Sequence, residues 1–69
     1  MPLTEFQIAK RRLKRGRILC RHIQDHLRQT YAQYEKSHPE FAGLLLDAAN
    51  YTNTLDGFLA EIHNRLMQL

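Results

Sequence analysis

The apolar positions of the first half step by three and four without a slip: Phe6, Ala9, Leu13, Gly16, Cys20, Ile23, Leu27, Thr30, Tyr34. That is a helical heptad seam, with one face apolar and the rest polar. The second half repeats the pattern through Phe41, Leu45, Ala48, Thr52, Leu55, Leu59, Ile62, Leu66 and Leu69. Between them lies one strong punctuation mark, Ser37-His38-Pro39-Glu40. A serine followed three residues later by a glutamate is a capping box, and a proline in the first turn loses no hydrogen bond. Proline also pushes His38 out of any preceding helix. Thr4-Glu5-Phe6-Gln7 is a second, weaker capping box. The pattern predicts helix 1 over about 4–36, a turn at 37–39 and helix 2 over about 38–68. Each helix then has about 30 residues and is about 45 Å long. Asp56-Gly57 sits inside the helical pattern and is read as tolerated there.

Folding the chain back at residue 37 makes antiparallel partners sum to about 75 in residue number. One set of layers is Phe6–Leu69, Leu13–Ile62, Cys20–Leu55, Leu27–Ala48 and Tyr34–Phe41. The other is Ala9–Leu66, Gly16–Leu59, Ile23–Thr52 and Thr30–Leu45, in which every small residue meets a larger one. Such matching of volumes is what close packing requires. Gly16 costs roughly 1 kcal/mol in a helix interior, so it is expected to admit a close approach of Leu59 or a kink. The same register brings Arg28 near Asp47 and Lys14 near Glu61, pairs that disfavour a shifted alignment.

The predicted fold class is therefore all-α, a single hairpin of two long antiparallel helices over residues 1–69. Beside the seam of the second helix runs a further apolar column, Leu44, Tyr51 and Phe58. One partner helix cannot cover so wide a face. Two remedies are open: dimerisation into an antiparallel four-helix bundle, or a different protein that supplies the missing helices. A monomeric hairpin with Tyr51 half exposed is a third arrangement, disfavoured by the small size. The plan resembles the Rop-type helical hairpins, small RNA-binding regulators that dimerise as four-helix bundles. The resemblance is one of architecture and carries no functional residues over.

Length and composition narrow the picture further. With 69 residues the chain is at most one small domain. A chain of this size buries only about 60% of its unfolded surface, so its own stability is marginal. Apolar runs reach three residues, as at Leu44-Leu45-Leu46, against about 20 for a bilayer span. Met1-Pro2-Leu3-Thr4-Glu5 lacks the charged and apolar regions of a secretory signal. The single cysteine excludes an internal disulfide, and a free thiol fits a reducing, cytoplasmic compartment.

The net charge of +3 is unevenly placed. Residues 1–36 hold nine Lys/Arg against Glu5, Asp25 and Glu35. Residues 37–69 hold only Arg65 against Glu40, Asp47, Asp56 and Glu61. The basic face of helix 1 comprises Lys10, Arg11, Arg12, Lys14, Arg15, Arg17, Arg21 and Arg28. A run of this kind binds phosphate or an acidic protein, or is simply a solvated face. No aromatic residue is interleaved to stack on bases, and no helix-turn-helix spacing is present. An amphipathic basic helix also suits anionic lipid, but the seam explains its apolar stripe better, so membrane binding is a minor option.

His22 and His26 share a face at i, i+4, as metal ligands do. The string His22-Ile23-Gln24-Asp25-His26 lacks the glutamate of a zinc protease, and Cys20 lies about 200° around the helix. Solvated polar residues are the better reading, so no metal and no cofactor are expected. Cys20 reads as a small buried residue rather than a reactive one. There is no nucleophile with a placed base, no phosphate loop and no paired carboxylates, so no enzymatic activity is expected. The sequence thus predicts a small non-catalytic regulator, an adaptor, inhibitor or chaperone, acting by association with itself as a homodimer or with another protein. Its interface would be Leu44, Tyr51 and Phe58. The alternative is a regulator that binds RNA or DNA through the basic face.

Overall fold

A computed structural model describes residues 4–69. It consists of two helices, α1 (Glu5–Tyr34) and α2 (Pro39–Met67), packed side by side as a hairpin. Met1–Leu3, which bear on the expected absence of a secretory signal, lie outside the described residues.

The first helix opens at a complete capping box. The Gln7 amide donates to the Thr4 hydroxyl at 3.2 Å, and the Thr4 amide donates to Gln7 Oε1 at 3.1 Å. Two of the first-turn donors that lack helical partners are thereby satisfied. The second helix starts differently from expectation. Its N-cap is His38, with Pro39 as the first helical residue and no side-chain cap. Ser37 therefore lies one position too early, and Glu40 falls at the second helical position rather than the third. Proline decides this, because it forces the preceding residue out of the helical region. His38 accordingly sits at φ −140° and ψ 72°. The Ser37 hydroxyl turns to His38 Nδ1 instead, at 3.0 Å.

The corner needs no left-handed residue, since none occurs among the described residues. The His38 amide still donates to the Tyr34 carbonyl at 2.9 Å, which satisfies an orphan acceptor at the end of α1. Aromatic side chains fill the corner. Tyr34 meets Phe41 edge-on with ring centroids 5.3 Å apart, and His38 at 5.8 Å.

The register agrees with expectation at the corner and at Gly16 within the seam. Tyr34 meets Phe41, and Leu59 Cδ1 lies 3.5 Å from where a Cβ on Gly16 would stand. The glycine thus lets Leu59 sit against the α1 backbone, and an added methyl would make ordinary contact. Cys20 is buried in the seam, as its heptad position implies.

One column of the α2 seam is corrected. Phe41, Leu55 and Ile62 are half exposed, and Leu69 is fully so. Their place against α1 is taken by Ala42 and Ala49, both buried, and by Asp56 and His63. On α1, Phe6 and Ile23 are likewise exposed, while Gln24 and Tyr31 turn partly inward. The cause is the small column: alanines let the helix backbones close up, because interaxial distance follows side-chain size. Polar clasps hold that side. Arg17 Nε donates to Asp56 Oδ1 at 3.0 Å, and Gln24 Nε2 donates to the Ala49 carbonyl at 3.3 Å. The expected pairs Arg28–Asp47 and Lys14–Glu61 do not form. The two ion pairs among the described residues are Arg17–Asp56 and Arg65–Glu61.

The result is a single layer. The backbone spans 54 × 22 × 10 Å with a radius of gyration of 16.0 Å, against about 11 Å for a globule of this length. Among the described residues only Cys20, Ala42 and Ala49 are buried, and no large side chain is fully covered. Domains ordinarily need two packed layers to close a core.

Candidate functional site

Two long faces of the hairpin differ in chemistry. Each is built from one flank of α1 and one flank of α2, so helical periodicity decides what it presents.

On one face, Glu5, Ile8, Ala9, Arg12 and Leu13 of α1 share an open groove with Ile62 and Leu66 of α2, about 560 Å³ in volume. Leu19 lies seven residues on from Arg12, and Ile23 fourteen on from Ala9, so both continue the same flank. Both are exposed. On α2 the face carries Phe41, Leu44, Ala48, Tyr51, Leu55, Phe58 and Ile62. These positions alternate steps of three and four, which is a complete heptad seam of its own. Leu44, Tyr51 and Phe58 are 67%, 77% and 63% exposed. Leu44, Tyr51 and Phe58 therefore belong to a wider strip, joined by Phe41, Leu55 and Ile62. The same three fit the expected intramolecular seam, and their spacing alone does not reveal which partner they face.

The opposite face is basic. Lys10, Lys14, Arg17 and Arg21 line a second groove of about 460 Å³ with Ile18 and His63. Arg28, seven residues beyond Arg21, extends the strip. Arg11 stands at its outer edge, beside Gln7, Lys10 and Lys14. Arg15 is exposed and lines neither large groove. Arg12 lies on the apolar face instead. The eight basic side chains of α1 thus do not form one surface.

Arg17 is tied to Asp56, which holds that carboxyl below its ordinary value. The hydrogen bond from Arg17 is the main cause; burial opposes it, and the charges of Arg17 and Arg21 add to it. The same hydrogen bond raises Arg17 further above its already basic value. This pair was missed in the sequence. Its residue numbers sum close to the antiparallel register, and a search of that register for opposite charges would have found it.

His22 and His26 are both exposed. Among the described residues, no three His, Cys, Asp or Glu side chains converge on a point where a metal ion would bind. No described helix is long and apolar enough to cross a membrane. No protein-family model matches the chain, and neither a curated protein nor a solved structure shows significant similarity to it. The Rop-like plan rests on the layout of the two helices alone.

Proposed function

We propose that the chain is a small non-catalytic regulatory or adaptor protein that acts by protein–protein association through its helix faces. One observation carries this reading: a single-layer hairpin presents an unbroken apolar seam along α2 with its largest side chains in solvent. Exposed apolar seams of this length mark interaction surfaces. Each such side chain left in water forgoes roughly 1.5–3 kcal/mol of burial. A helical partner laid on the face recovers that free energy through anchors at spacings of three and four. A reducing, cytoplasmic setting suits the buried free thiol of Cys20.

A second reading rests on the other face. Lys10, Lys14, Arg21 and Arg28 form a strip that tracks one flank of α1, and RNA or DNA phosphates would pair with it. Nothing aromatic lies along the strip to read bases, so binding there would be insensitive to sequence.

The test is a pull-down with the full chain from its native host, with and without nuclease, compared with Tyr51→Glu and with a Lys10→Gln/Lys14→Gln/Arg21→Gln variant. Nuclease-resistant capture lost in Tyr51→Glu supports protein association. Capture abolished by nuclease and by the charge variant, yet kept in Tyr51→Glu, overturns it in favour of nucleic acid.

A further inference from the structure

The exposed seam of α2 is complementary to itself. Laid antiparallel so that facing residue numbers sum to about 106, Tyr51 meets the partner's Leu55 and Leu44 meets the partner's Ile62. Ala48, the one small residue of the strip, meets the partner's Phe58. This is the small-to-large matching already seen where Gly16 receives Leu59 inside the hairpin. At the strip's end the same alignment brings Arg65 beside the partner's Glu40. Arg65 already pairs with Glu61 at 3.0 Å, and Glu40 would share its guanidinium.

We propose that a second copy of this chain covers the apolar face, with the two α2 helices antiparallel about a two-fold axis between Tyr51 and Leu55. The proposal deepens the association reading and rests on it. Area supports it. Residues 41–62 run about 33 Å along the helix, and the hairpin is 22 Å wide. Face-to-face pairing therefore covers roughly 700 Å² per chain, or roughly 1,400 Å² in all, within the 1,200–2,000 Å² of stable complexes. Charge supports it as well. Lys10, Lys14 and Arg21 lie on the far side of each hairpin, so the pairing buries none of that positive strip. Leu19 and Ile23 of α1 add apolar cover near the axis. The dimer is a four-helix bundle with a basic flank on each outer side.

The test uses the full-length chain with Cys20→Ala and a single spin label at Asn53→Cys or Gln68→Cys, both exposed positions. Sedimentation equilibrium reports the mass, and dipolar spectroscopy reports the distance between labels. The expected result is a dimer in which the Gln68 labels are much farther apart than the Asn53 labels: Asn53 is level with the axis, on the outer side of each helix, whereas each Gln68 lies some fifteen residues, about 22 Å, along the helix from it. A folded monomer at micromolar concentration overturns the pairing. So does a dimer whose two label sites give equal distances, because the second helices would then run parallel. Either result is distinct from failure of the association reading, which is overturned by capture that nuclease and the charge variant abolish and Tyr51→Glu leaves intact.

Discussion

Phe58→Ala isolates the exposed face. Phe58 is 63% exposed in the hairpin, so most of its burial is still to be gained. Full burial of such a side chain contributes about 1.5–3 kcal/mol, which leaves roughly 1–2 kcal/mol per chain for the interface. In the proposed dimer the two-fold axis counts the site twice, giving roughly 2–4 kcal/mol per dimer, or a dissociation constant about 30- to 1,000-fold weaker. The control is Leu46→Ala. Leu46 is 43% exposed, but it points about 200° around α2 from Leu44 and lies off the apolar strip. Sedimentation equilibrium on both variants gives the two constants, with circular dichroism to confirm that each stays helical. Phe58→Ala should weaken the dimer within that range, while Leu46→Ala stays within about twofold of the parent. Equal effects of the two would refute the reasoning, because association would then follow total apolar surface rather than this face.

Three further outcomes are expected. Thr4→Ala should lower stability by about 1 kcal/mol through loss of the α1 cap, whereas Ser37→Ala should leave urea denaturation unchanged, because Ser37 caps nothing. Asp56→Asn should be less stable than the parent at neutral pH. Because Asp56 is held below its ordinary value, its contribution is full above about pH 4 and fades as pH falls through the lowered value, so the gap between the two proteins should close in acid. Thermal melts over an acid series read that gap, and a constant gap would count against the Arg17 contact. Gly57→Ala should raise stability by about 0.5–1 kcal/mol, since helix propensity improves and the new methyl meets open space.

The sequence carries the hairpin because three signals agree: seams at helical spacing, one proline at the corner, and a register in which Gly16 finds Leu59. It carries less of the distinction between two adjacent apolar columns. Phe41, Leu55 and Ile62 are larger and more apolar than Ala42, Ala49, Asp56 and His63, so pattern reading puts them in the seam. The structure does the reverse: the alanines are buried against α1, and Arg17 holds Asp56 on that side. The bulky column is then free for something else, and its steps of three and four through Leu44, Tyr51 and Phe58 become visible as a second seam. The corner shows a similar limit. Ser37 and Glu40 have capping-box spacing, but Pro39 moves the helix start by one residue and the box cannot close. On the basic side, periodicity separates Arg12 from Lys10, Lys14, Arg17 and Arg21, which a linear run of charge conceals.

A one-layer hairpin whose described residues include three small buried ones has little core of its own. Its folding should therefore be coupled to covering the α2 face. Thermal unfolding of the unmodified chain over a hundredfold range of protein concentration tests this most directly. The melting temperature should climb as concentration rises, because association stabilises the folded form by mass action. A cooperative transition at one fixed temperature across the whole range would contradict it, since the single hairpin would then be stable by itself.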